Sequence, residues 1–99
     1  MKKEAIRNSS KVSVTFEMPA DVEAQTLAVV GDFNEWKEDA APMQRRKDGT
    51  WARTLRLEPG TYAYRYLADG ARWLNDWNAD RYEPSGLGDD NSVLVIEAE

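Results

Sequence analysis

The side chains in this sequence best suited to recognition chemistry are indoles. Trp36, Trp73 and Trp77 lie in or beside turn sequences with Asp, Asn and Arg neighbours, where burying so large a ring is hard to arrange. An exposed indole presents a flat apolar face that matches the C–H face of a pyranose ring, while nearby Asn, Asp and Arg bond sugar hydroxyls. On composition alone this carbohydrate-platform reading weighs evenly with a plainer one, in which the rings cover small satellite clusters under the loops. Trp51, Tyr62, Tyr64 and Tyr66 fall on strand faces instead and read as core or half-core residues.

Catalysis has few groups to draw on. The chain contains neither Cys nor His, which removes disulfides, Cys/His metal sites, thiol nucleophiles and His-based general bases together. The run Asp76-Trp77-Asn78-Ala79-Asp80 resembles the opening of a calcium loop, but its sixth position is Arg81, not Gly, and its twelfth is Leu87, not Glu. Asp32, Asp69, Asp76, Asp80, Asp89 and Asp90 supply carboxylates that a glycosidase would pair, yet their Gly, Asn and Asp neighbours are turn chemistry, so solvated turn aspartates are the expectation. No enzyme, cofactor or metal is expected. A formal charge of -5, from 18 acidic against 13 basic residues, disfavours nucleic acid and anionic membranes. No apolar run of signal or membrane-spanning length follows the N-terminus, so a cytoplasmic location is expected.

The elements that must position these rings are strands. At 99 residues the chain has the size of one domain. Residues 1–10, with three basic side chains, one acid and two serines, read as a flexible N-terminal arm, leaving 11–99 as the folded domain. Val12, Val14, Phe16 and Met18 recur at period two and predict a half-buried strand that Pro19 ends. Residues 26–31 read as a central strand, 32–36 as a turn, and 43–46 as a weak strand. Lys47-Asp48-Gly49 predicts a hairpin into a strand over 51–57, where Arg53 is the misfit on the apolar face. Glu58-Pro59-Gly60 precedes a strand over 61–67 that puts Tyr62, Tyr64 and Tyr66 on one face and Arg65 and Leu67 on the other. Asp69-Gly70 turns the chain into a short strand over 71–74, residues 75–91 read mostly as loop, and 92–97 as a closing strand. Short strands, frequent turn signals and no amphipathic helix predict an all-β, immunoglobulin-like sandwich of seven to eight mostly antiparallel strands.

Gly31-Asp32-Phe33-Asn34-Glu35-Trp36, Leu57-Glu58-Pro59-Gly60, Tyr64-Arg65-Tyr66-Leu67-Ala68-Asp69-Gly70 with Trp73 and Asp76 downstream, and Leu87-Gly88 followed by Asn91 stand in an order and spacing that are fairly specific together. Through them the chain from about Leu27 to Ile96 resembles the glycogen-binding domain of the AMP-activated protein kinase beta subunit, a family 48 carbohydrate-binding module. The resemblance implies non-catalytic binding of an α-1,4-linked glucan such as glycogen, maltooligosaccharide or cyclodextrin. It further implies that Trp36 and Trp73 stack on glucose rings and that Arg65, Leu87 and Asn91 complete the site. Departures accompany it: Arg65 stands where the family usually has Lys, Asp89 where a neutral hydroxyl residue is common, and Trp77 where related chains often carry Pro. Trp77 either extends the platform or caps the loop. Similar early-set domains precede the catalytic barrels of isoamylases and branching enzymes, which makes packing on a glucan-metabolising enzyme or kinase complex, or self-association, the alternative function.

Overall fold

The computed structural model describes residues 2–77, 79–84 and 90–97. Nine strands appear among them: β1 (Lys2–Ala5), β2 (Val12–Met18), β3 (Leu27–Gly31), β4 (Gln44–Arg45), β5 (Trp51–Leu57), β6 (Gly60–Ala68), β7 (Arg72–Leu74), β8 (Arg81–Pro84) and β9 (Asp90–Ile96), with a single 3₁₀ turn at Asp32–Asn34. They form two antiparallel sheets, β1-β2-β5-β4 and β3-β6-β9-β8, with β7 paired to the end of β6. The sheets face one another as the two layers of the expected sandwich.

Period-two patterning decides which side chains meet between the layers. Val14, Phe16 and Met18 of β2 turn inward and are at most 5% exposed. Opposite them Val29, Tyr64, Tyr66, Leu94 and Ile96 come from the second sheet. Phe16 meets Tyr64 edge-on with ring centroids 5.2 Å apart, and Tyr64 meets Tyr66 at 6.0 Å. Each such side chain taken from water contributes roughly 1.5–3 kcal/mol. Trp51 is buried as expected, while Tyr62 is only half-buried. Arg53, the misfit, does sit opposite Phe16 in register; its Nη1 donates to the Pro42 carbonyl at 3.3 Å.

Two segments correct the expectations drawn from the sequence. Residues 2–5, placed in the flexible arm, pair as β1 with β2 from Lys2↔Thr15 to Ala5↔Val12, and Lys3 Nζ reaches the second sheet at Asp80 Oδ2 (2.6 Å) and the Val95 carbonyl (2.9 Å). Inside the presumed loop over 75–91, β8 pairs with β9 from Arg81↔Val93 to Pro84↔Asp90. Both are edge strands with every residue exposed, held by backbone pairing, so no apolar alternation marks them. The weak strand over 43–46 shortens to Gln44–Arg45, and the closing strand begins earlier, at Asp90. The Asp69-Gly70 hairpin forms as expected, with φ of 54° and 67° and Ala71 N donating to the Ala68 carbonyl at 3.0 Å.

Candidate functional site

The turn that carries Trp36 begins where β3 runs unusually close to β6. A Cβ on Gly31 would lie 2.4 Å from the Ala63 carbonyl oxygen and 2.7 Å from Tyr64 Cβ, so only glycine fits. Phe33, inside the 3₁₀ turn, drops into the core against Phe16 (5.5 Å), Tyr62 (6.0 Å) and Tyr64 (6.4 Å), anchoring the turn from below. Asn34 closes it: Oδ1 accepts from Gly31 N at 3.0 Å and Nδ2 donates to the Val29 carbonyl at 3.1 Å. Glu35 and Trp36 then take left-handed backbone, with φ of 57° and 59°. A non-glycine residue there costs about 1–2 kcal/mol, an expense the surrounding bonds must offset. Trp36 N donates to the Gly31 carbonyl at 2.9 Å.

Asp32 fixes the ring itself. Its Oδ1 accepts from Trp36 Nε1 at 2.9 Å and its Oδ2 from Ala63 N at 2.8 Å, so one carboxylate ties the indole to β6. With its N–H engaged, Trp36 presents an apolar face and is half-buried.

Trp73 arrives from β7, opposite Leu67 in register, and is 42% exposed. Its ring centroid stands 6.5 Å from that of Trp36, the planes inclined at 61°. Arg65 and Leu67, alternating with the inward tyrosines, share this outer face of the second sheet, as does Val30 opposite Arg65. Val30 and Leu67 are 0% and 3% exposed although they lie outside the inter-sheet core, so this part of the face is locally covered. Arg65 Nε donates to Asn91 Oδ1 at 2.8 Å, bringing a residue of β9 alongside β6. Four of the expected site residues, Trp36, Trp73, Arg65 and Asn91, thus belong to one sheet or the turn that extends it. Leu87 and Asp89 lie outside the described residues. Trp77 is 64% exposed and its Nε1 donates to the Glu17 carbonyl of β2 at 3.3 Å, which sets it at the edge between the sheets.

Asp76, expected to be a solvated turn aspartate, is 3% exposed. The Tyr64 and Tyr66 hydroxyls donate to its Oδ2 at 2.6 and 3.1 Å, its N–H donates to Ser92 Oγ at 2.8 Å, and the Tyr82 hydroxyl donates to its carbonyl at 2.6 Å. Burial, reinforced by Asp76, pushes both tyrosine hydroxyls far above the usual phenol range, so they serve as donors. Asp80, the other end of the calcium-like run, is taken by Lys3 Nζ and by Val95 N at 2.8 Å. The Asp76 carboxylate thus receives the two core tyrosine hydroxyls, and that of Asp80 ties Lys3 to β9. No local pattern marks Asp32 or Asp76 for such a part, apart from the place of Asp32 four residues before Trp36.

The family described as the glycogen recognition site of AMP-activated protein kinase matches this chain over residues 12–98. Similar proteins include the chloroplastic protein FLOURY ENDOSPERM 6 of Oryza sativa subsp. japonica, 31% identical over 75 residues that make up 74% of this chain and 13% of that protein. The chloroplastic protein PTST of Arabidopsis thaliana is 33% identical over 78 residues, 75% of this chain and 26% of that one. A 1,4-alpha-glucan branching enzyme, GlgB 2, of Xanthomonas campestris pv. campestris is 48% identical over 50 residues, 48% of this chain and 7% of the enzyme. The chain thus spans about a quarter or less of these relatives.

Proposed function

We propose, because the chain belongs to the family of the glycogen recognition site of AMP-activated protein kinase, that it is a non-catalytic α-glucan-binding module whose platforms are Trp36 and Trp73. The observation that carries the assignment of the platforms is that two indoles from separate segments stand 6.5 Å apart at 61° on one sheet face. Successive glucose rings of an α-1,4-linked chain turn relative to one another. Two inclined planes offer each of two rings its own stacking surface, where a flat ribbon of β-linked sugar would meet only one. Arg65 and Asn91, linked to each other beside the indoles, are the polar groups assigned to sugar hydroxyls. Leu87 is assigned an apolar contact through the family match.

Asp32 and Asp76 act through other residues. Asp32 keeps the Trp36 indole from rotating, so little side-chain freedom is lost when sugar binds. Affinity is modest nonetheless, because an open, wet site must order a flexible oligosaccharide. In the longer relatives the matching segment is a small part of the protein, and we assign this chain the same accessory part: holding glucan for chemistry done elsewhere.

Titrating maltoheptaose or β-cyclodextrin while following Trp fluorescence tests the assignment. A saturable response that Trp36→Ala and Trp73→Ala each abolish is expected. A flat response at millimolar sugar, with the same variants releasing a bound enzyme partner or splitting a dimer, would instead establish the early-set interaction reading.

A further inference from the structure

We infer that Trp77 is a second glucan contact, set on the edge of the sandwich and reached only by longer chains, an extension that rests on the function proposed above. Trp77 is the most exposed of the large hydrophobic side chains among the described residues, at 64%. Nevertheless its ring is held. Nε1, the one polar atom of the indole, donates to the Glu17 carbonyl. The backbone on its N-terminal side is fastened by Asp76, which is buried and bonded to Tyr64, Tyr66, Ser92 and Tyr82. An indole that is fixed in place, with its polar atom used by the protein and its faces open to water, has the attributes that Trp36 shows on the sheet face.

The surroundings supply polar partners of the right kind. Glu17, whose carbonyl receives the indole, carries an ion pair with Arg46 at 2.7 Å, and both side chains are substantially exposed. The indole is thus bonded to the backbone of a residue whose side chain carries this ion pair, and a carboxylate and a guanidinium suit sugar hydroxyls, which both accept and donate. Among the described residues Trp77 makes no ring contact with Trp36 or Trp73, so it is a separate surface. It is nonetheless near in the chain: three residues lie between Trp73 and Trp77, so their Cα atoms are at most about 14 Å apart. A glucan lying on Trp36 and Trp73 that continues toward the sheet edge meets Trp77 after a few further rings, and a short oligosaccharide ends before it.

Affinities for maltotetraose and maltodecaose, measured by calorimetry on the wild-type chain and on Trp77→Ala, test this. We expect Trp77→Ala to weaken maltodecaose binding about fivefold and leave maltotetraose binding unchanged. Trp77→Phe keeps a flat ring and should retain most of the long-chain affinity, while Trp77→Leu, which keeps apolar cover over the edge without that face, should behave as Trp77→Ala. Melting temperatures identify any variant that fails to fold. Equal weakening for both sugars, or no change for either while the wild type binds both, would overturn the separate contact. So would a wild-type dimer that Trp77→Ala dissociates, since the ring would then cover a second copy. A wild type that binds neither sugar defeats the underlying glucan reading instead, and this inference with it.

Discussion

The two faces of β6 put aromatic residues to opposite uses. On the inner face Tyr64 and Tyr66 are fully buried, Tyr64 edge-on to both Phe16 and Tyr66, and the two hydroxyls are answered by a buried carboxylate, Asp76. On the outer face Leu67 pairs in register with Trp73, and Trp36 inclines toward it, both indoles partly open to water. The inner rings stabilise the fold by leaving water. Of the outer rings, Trp36 is held at its edge by Asp32, and in the function proposed above both rings keep a face for the ligand. The faces are joined by one short segment: Trp73 lies on the outside, and Asp76, three residues later, closes the inside.

The sharpest way to break this contrast is to truncate one ring from each face. Phe16→Ala should cost about 3–5 kcal/mol, much of the roughly 5–15 kcal/mol that holds a domain of this size together. Trp73→Ala should cost about 1 kcal/mol in urea denaturation while removing glucan binding. Comparable destabilisation by the two would mean that Trp73 is a core residue after all. Next in size is Asp76→Ala, which leaves two buried tyrosine hydroxyls without their acceptor. A loss of about 2 kcal/mol or more is expected, accompanied by weaker glucan binding because the segment from Trp73 to Trp77 loosens. Full retention of affinity would separate the faces that the structure joins.

Asp32→Ala should act mainly on the outside, lowering glucan affinity about fivefold at a stability cost of about 1 kcal/mol, since Trp36 Nε1 and Ala63 N lose their acceptor. A stability loss with unchanged affinity would show the indole to be held by other means. The smallest effect concerns pH. Backbone N–H groups of Thr26 and Gln25, bonded to Asp69, hold its carboxyl below the usual value of 3.8. A carboxyl depressed in the folded state adds stability above the unfolded value and loses it as pH falls through the folded one. Melting temperature should therefore decline on acidification below about pH 4, less steeply in Asp69→Asn. With no His in the chain, glucan binding should be level from about pH 5.5 to 8.

Most of this contrast is legible in the sequence where side chains alternate. The period-two runs in β2 and β6 are enough to separate Phe16, Tyr64 and Tyr66 from Arg65 and Leu67, and the turn signals at Asp48-Gly49 and Asp69-Gly70 place the hairpins. Edge strands escape such reading. Lys2–Ala5 and Arg81–Pro84 are exposed throughout and form because a neighbour offers unpaired backbone groups, a long-range condition that no local pattern carries. The aspartates of the site escape it for a related reason. Asp32 and Asp76 both stand in turn sequences, and only the folded chain brings Ala63 N to one and the Tyr64 and Tyr66 hydroxyls to the other.

The central claim, that Trp36 and Trp73 meet sugar and the core aromatics do not, is tested most directly by the indole N–H signals of the four tryptophans in a two-dimensional NMR titration with maltoheptaose. Trp36 and Trp73 should shift along saturable curves with a common dissociation constant while buried Trp51 stays in place. Unmoved Trp36 and Trp73 signals at saturating sugar would contradict it.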